Sequence, residues 1–169
     1  LVAVSDAPGS LASNMANEAA LHWGDIRVCG LFDAFGNDER VFDYAGIPSL
    51  SIQKTGISEY HSSNDSPDRL RREDLTRAAD IIFRMCQAAE QDAVYKPKHR
   101  VPVYLTRYNL YSDAGAGQSA FRAQRAILHG IDGKRSILDL AVSRGIDFDA
   151  ATAFAKRLHE LDLVTRVDR

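Results

Sequence analysis

Few features of this sequence are extreme, and each shortage excludes something. Only two cysteines occur among 169 residues. Cys29 in "IRVCGLF" and Cys86 in "IIFRMCQAAE" both fall in apolar, periodic segments, where an unpaired thiol behaves as a small hydrophobe. Two reduced thiols suit a reducing compartment, so the expected location is cytoplasmic. No apolar run approaches the ~20 residues that span a bilayer, and no signal-peptide pattern is visible; no membrane partner is expected. Neither sign of charge dominates: 21 Lys and Arg face 23 Asp and Glu, a formal net charge of −2. The signs are interspersed, as in "DRLRREDLTRAAD", and leave no basic field to draw in nucleic acid or anionic lipid. Low-complexity tracts are missing too. With 45% hydrophobic residues, the composition is that of an ordinary globular protein, long enough for one full core or two small ones.

The elements that are present alternate. "LVAVSD" reads as a short strand whose polar end, Ser5 and Asp6, meets a Pro-Gly turn. The chain enters this strand at once and without Met, so its native N-terminus is expected upstream. "SNMANEAALHWG" has a helical pattern with Ser10 or Ser13 as N-cap and Gly24 as the stop. "IRVCGLF" and "IPSLSIQ" read as strands separated by a polar loop, "FGNDER". Ser66-Pro67-Asp68 has the marks of a helix start: a capping hydroxyl, proline at the first helical position and an acid in the first turn. The helix after it should bury Leu70, Leu75, Ala78, Ile82, Met85 and Ala89 as one stripe. Strands alternating with helices predict an α/β fold with a sheet covered on both faces.

The pattern changes near Lys96. Residues 96–118 hold two prolines, a Tyr-rich stretch including Tyr104, Tyr108 and Tyr111, and the glycine cluster "DAGAGQ". This segment is expected to be a connector between a first domain, 1–95, and a second, 119–169. Three short amphipathic helices ("AFRAQRAILHGI", "SILDLAVSRG" capped by Ser136, and "FDAATAFAKRLHELDLV") and a final strand, "LVTRVDR", outline a small winged helix-turn-helix domain.

Candidate functional residues gather at the carboxyl ends of the expected strands, where ligands bind in α/β sheets. They are Asp6, the "GNDER" loop with Asp38, Glu39 and Arg40, and "EYHSSND" with Tyr60, His61 and Asp65. A histidine and several carboxylates suit zinc, which takes nitrogen and oxygen ligands and keeps a position open when catalytic. An acid at His+4 can fix the imidazole tautomer, and a tyrosine hydroxyl can meet a developing oxyanion. The residues alone leave plainer roles open. His61 can be a polar-loop histidine and Asp6 a turn residue. Asp38, Glu39 and Arg40 can be an ion-paired surface loop. Ser62, Ser63 and Asn64 can be turn formers.

The order Gly36-Asn37-Asp38-Glu39-Arg40, Gly46-Ile47-Pro48 and Glu59-Tyr60-His61-Ser62-Ser63-Asn64-Asp65 resembles the zinc-dependent M28 peptidase superfamily. It is closest to a bacterial aminopeptidase-like branch with a C-terminal winged helix. "LVAVSDAPG" with "NEAALHWG" is similar to that family's strand ending in a metal-binding aspartate and the helix beyond it. The resemblance covers most of the chain and implies the C-terminal portion of such an enzyme: part of a mixed sheet flanked by helices, then a winged helix. It implies Zn2+ as cofactor, with His61 and Asp6 as metal ligands. Asp38 and Asp65 would be supporting carboxylates, Tyr60 would polarise the carbonyl, and Arg40 would pair with the loop carboxylates or meet the substrate. The implied reaction is metal-assisted hydrolysis of a peptide or amide.

The family's first histidine ligand, bridging aspartate and general-base glutamate have no counterpart here, and two ligands do not hold a catalytic zinc. By itself the chain is therefore expected to be inactive. The rival readings are a non-catalytic scaffold, a carbohydrate-related binding module and a winged-helix regulator. The third helix of that domain carries Lys156 and Arg157 but also Asp147, Asp149 and Glu160, so a protein partner is expected there rather than nucleic acid.

Overall fold

The structure, a computed structural model, describes residues 2–4, 9–30, 38–110 and 118–167. Asp6, Gly36, Asn37, Tyr111 and the glycines Gly115 and Gly117 fall outside the described residues. The chain divides into two compact units, Leu1–Ala89 and Glu90–Arg169.

In the first unit, strand β1 (Val2–Val4) lies between β2 (Arg27–Cys29) and β3 (Ser51–Gln53). It runs parallel to β2 and antiparallel to β3, with Val4 opposite both Cys29 and Ser51. Helix α1 (Leu11–Trp23) starts where the Ser10 hydroxyl accepts the Ser13 N–H at 3.2 Å. It stops at Gly24, whose φ of 74° is the left-handed C-cap that glycine adopts without strain. Ala16 and Ala19 of α1 pack with Ile26, Ile81 and Met85, and Trp23, Leu50 and Ile52 close around them. Full burial of side chains such as Ile81 and Met85 stabilises by about 1.5–3 kcal/mol each.

Three expectations for this unit need correction. The polar loop after β2 gives way to a short helix, α2 (Glu39–Tyr44), beginning within the "DER" acids and arginine. Ser66-Pro67-Asp68 begins only a single 3-10 turn, Pro67–Arg69. The Ser66 hydroxyl donates to Asp68 at 2.6 Å instead of capping, and Leu70 is extended, so helix α3 (Arg72–Gln91) starts afresh. The buried stripe of α3 is Ile81, Met85 and Ala88, whereas Leu70, Leu75 and Ile82 are exposed. The helix carries a second apolar stripe, Leu75, Ala79, Ile82, Phe83 and Cys86, at the spacing of one helical face, and the core takes the other.

The second unit pairs β4 (Val94–Pro97) with β5 (Val164–Val167) in antiparallel register, Val94 opposite Val167. Lys96 and Pro97, the first residues of the expected connector, belong to β4. Between the strands come α4 (Gln118–Gly130), α5 (Ile137–Arg144) and α6 (Phe148–Glu160). Their core is built from Ile127, Ile137, Leu138, Leu140 and Leu158, each almost wholly buried. Gly130 is needed for close approach: a β-carbon there would sit 2.7 Å from Leu140 Cδ2.

The start of α5 satisfies its own amides. Ser136 and Asp139 exchange hydrogen bonds in a capping box, at 3.1 Å and 2.8 Å. The Ile137 N–H donates to the Ala93 carbonyl, and the Leu138 N–H donates to the buried Asp92 carboxylate at 2.9 Å. Orphan donors of the first turn thus find partners, and the Asp92 charge sits favourably at the helix N-terminus. Asp147 caps α6 by accepting the Ala150 N–H at 2.7 Å. Overall the chain is α/β, with a mixed sheet in one unit and an antiparallel strand pair in the other. No helix among the described residues is long and apolar enough to cross a membrane.

Candidate functional site

The segment after β3 is a chain of local turns. The Ser62 N–H and hydroxyl both donate to the Glu59 carbonyl, at 3.0 Å and 2.6 Å. The Ser62 hydroxyl accepts the Asn64 N–H, and the Ser62 carbonyl accepts the Asp65 N–H at 3.1 Å. Ser62 therefore serves the turn. This winding places His61 in the left-handed region, φ 62°, which an L residue with a β-carbon occupies only at a cost. The imidazole is exposed and stacks on the Tyr60 ring, centroids 3.9 Å apart and planes 22° apart.

Beside them, Glu59 accepts from the Ser58 hydroxyl at 2.8 Å and lies 3.9 Å from the Arg69 guanidinium. The Ser58 hydroxyl, the Glu59 backbone amide and the Arg69 charge hold its carboxyl below the usual range. It is a fixed negative charge next to the Tyr60–His61 pair. Further back, Lys54 at the β3 exit bonds Asp74 of α3 at 2.5 Å. Asp74 is held at about 2 by hydrogen bonds from Arg71 and Lys54.

Asp38 and Arg40 lie at the start of α2, both exposed. The Asp38 carbonyl accepts the Val41 N–H at 3.0 Å, and the Ser49 hydroxyl ties the Glu39 carbonyl to the chain entering β3. Neither the Asp38 carboxylate nor the Arg40 guanidinium has an ion-pair partner among the described residues. The Asp65 carboxylate likewise has no partner among them, and its link to the turn is through its amide.

The premise that the polar clusters share one end of the sheet is corrected by the strand directions. β3 runs antiparallel to β1, so it exits beside Val2, where β1 begins, and not beside the strand end that leads to Asp6. The rule about carboxyl ends holds for parallel neighbours, which among the described strands only β1 and β2 are. Of the expected site residues, the described contacts bring together Tyr60 and His61 alone.

Donor chemistry decides how far zinc fits. A structural or catalytic zinc needs at least three protein ligands. Among the described residues no group of three His, Cys, Asp or Glu side chains is close enough to hold a metal ion. His61 is a presented imidazole, but the described donors do not close a zinc site.

One polar feature escapes a reading of spacing. Glu18 of α1 is buried, and its Oε1 accepts from Arg84 Nε and Nη2 at 3.2 Å and 2.5 Å. Its Oε2 is buried with no hydrogen-bond partner among the described residues. The only signal in the sequence was a charged residue inside an apolar helical pattern, "NEAALHW".

Comparison with known proteins adds a direction. No family model matches the chain. A Clostridium acetobutylicum protein, named for polysaccharide biosynthesis with an aminopeptidase-like domain, is 25% identical over 163 residues, 90% of this chain. A crystal structure named as a peptidase, from the same organism, matches 98% of the chain with a TM-score of 0.71 and 22% identity. The chain spans 37% of that relative and 38% of that structure. The second match shows that the fold is shared; the first is a distant relation to an aminopeptidase-like protein.

Proposed function

We propose that this chain is the C-terminal portion of a zinc-dependent, aminopeptidase-like hydrolase of M28 type. The observation that carries this reading is the Tyr60–His61 pair: a histidine held at positive φ, its ring presented to solvent against a tyrosine, in the segment whose residues resemble the peptidase motif. Backbone strain at a polar, exposed histidine is a pointer to a functional position. The match to an aminopeptidase-like protein over 90% of the chain agrees with it.

In this reading His61 and Asp6 are two of the metal donors. The rest come from parts of the longer protein that this sequence does not span. Because β3 exits at the end away from Asp6, the reading requires residues 54–60, with a reach of at most about 25 Å, to carry His61 back. Tyr60 donates its hydroxyl toward the carbonyl oxygen as charge develops there. The Tyr60–His61 stack holds the two groups in a fixed relation, which limits the reorganisation needed during reaction. Asp38 and Asp65 act as supporting carboxylates, Asp65 by orienting the imidazole, and Arg40 pairs with the loop carboxylates or meets the substrate. The bound metal supplies Lewis-acid and water-activating chemistry.

The second unit is read as a winged-helix appendage, from its order β4-α4-α5-α6-β5 with the two strands paired. Its partner is a protein. On α6, Arg157 is paired with Glu160 at 2.9 Å, and Lys156 shares the helix with Asp149, so there is no surplus of cations to neutralise phosphates.

The test is elemental analysis for zinc and hydrolysis of amino-acid anilides, on the protein at the length of its relatives and on the 169-residue chain. We expect about one or two zinc ions and turnover for the long form, both lost with His61→Ala, and neither for the short chain. A long form without zinc, or one whose zinc survives His61→Ala, sinks the proposal and leaves a scaffold.

A further inference from the structure

The second unit contains a cleft of about 370 Å3 between the 97–103 segment, the end of α4 and the α6–β5 junction. That volume is within the range of about 300–1,000 Å3 common to small-molecule sites. Ile127, Leu158, Leu163 and Val164 form an apolar floor, each at most 5% exposed. The ionisable side chains lining it are His99, Arg100 and His129, and no aspartate or glutamate is among the described lining residues. The charges around it are already matched: Lys98 pairs with Asp162, and Asp132 with Arg135. Asp162 is held below its usual range by Lys98 first, with His159 and His99 adding less. Arg100 has no ion-pair partner among the described residues.

We propose that this cleft binds a small carboxylate with an aliphatic or aromatic tail and rejects the α-amino acid of the same side chain. A guanidinium accepts a carboxylate bidentately, with two parallel N–H donors, and Arg100 is the free one. The tail gains by leaving water for the floor of Ile127, Leu158 and Leu163. An α-ammonium would enter a cleft whose lining offers a guanidinium and two imidazoles but no carboxylate, losing hydration without compensation. The inference does not depend on the peptidase reading, since none of these residues belongs to that site.

The experiment is titration of the 15N-labelled 169-residue chain with 3-phenylpropionate, with L-phenylalanine, and with 3-phenylpropionamide as the uncharged control. We expect saturable shifts for the carboxylate, confined to amides of 97–103, 127–131 and 158–164. Phenylalanine and the amide should bind at least about tenfold more weakly, and Arg100→Gln should weaken the carboxylate by about tenfold. Arg100 is exposed and bonds nothing described, so its replacement should leave the melting temperature unchanged and the loss readable as binding. No saturation at millimolar concentration, shifts mapping elsewhere, equal binding of phenylalanine or the amide, or undiminished binding by Arg100→Gln each overturns the proposal.

Discussion

His61 sits where a β-carbon is costly, φ 62°, in a turn whose hydrogen bonds come from Ser62, Glu59 and Asp65 and not from the imidazole. Replacement by glycine should therefore raise stability by a few tenths to about 1 kcal/mol, while alanine should not. Urea midpoints of the two variants test this, and a glycine variant less stable than the parent would mean that the ring itself holds the turn. Asp132 shows the opposite economy, with every acceptor used. One oxygen takes the Lys134 and Arg135 amides at 2.8 Å and 2.9 Å, and the other takes the Arg135 side chain. These bonds, the Arg135 amide foremost, hold its carboxyl at about 2. Because the folded group is more acidic than an unfolded aspartate, its stabilisation is complete above about pH 4 and is lost as pH falls through about 2. Asp132→Ala should be less stable than the parent at pH 7, with the gap closing on acidification toward pH 2. Denaturation midpoints across that interval give the check, and a gap independent of pH would refute the assignment.

Among the elements, α5 depends most on distant help. Removing the Asp92 carboxylate strands the buried Leu138 N–H and removes a charge from the helix N-terminus. Asp92→Ala should cost about 2–3 kcal/mol, against about 1 kcal/mol for Ser136→Ala, which leaves Asp92 in place. Equal losses in chemical denaturation would show that the Asp92 bond contributes no more than the local cap. These caps also mark what the sequence could reveal. Ser10, Gly24 and Ser136 were legible because capping is local chemistry written in neighbouring residues. Asp92 was not, since its partner lies across the unit. The buried face of α3 was misread because two apolar stripes share the helix and periodicity does not say which one meets the core. The direction of β3 was equally hidden: a three-residue strand entered through a short helix carries no mark of parallel or antiparallel pairing. The candidate site was legible as a motif, but among its described residues only the Tyr60–His61 contact can be seen as geometry.

For the molecule as a whole, the two units are unequally closed. The second exposes three large apolar side chains among its described residues, Val101, Tyr104 and Phe121, while the first exposes more, among them Val41, Phe42, Tyr44, Ile82 and Phe83, with Tyr44 at 95%. Apolar groups in that number favour association. The 169-residue chain should sediment with concentration-dependent mass, and Ile82→Lys with Phe83→Glu should shift it toward monomer; identical sedimentation of parent and double variant would show that this face is not the sticky one. The arrangement at α5 also sets an order of events during folding. Ser136 and Asp139 can nucleate their turn within nanoseconds to microseconds of local search. The Leu138 amide must instead wait for Asp92, 46 residues away in the chain, and that wait includes the entropy of closing a long loop. The helix is thus started by its own residues and locked by a distant one, and the expected kinetic signature is a higher φ-value for Ser136→Ala than for Asp92→Ala.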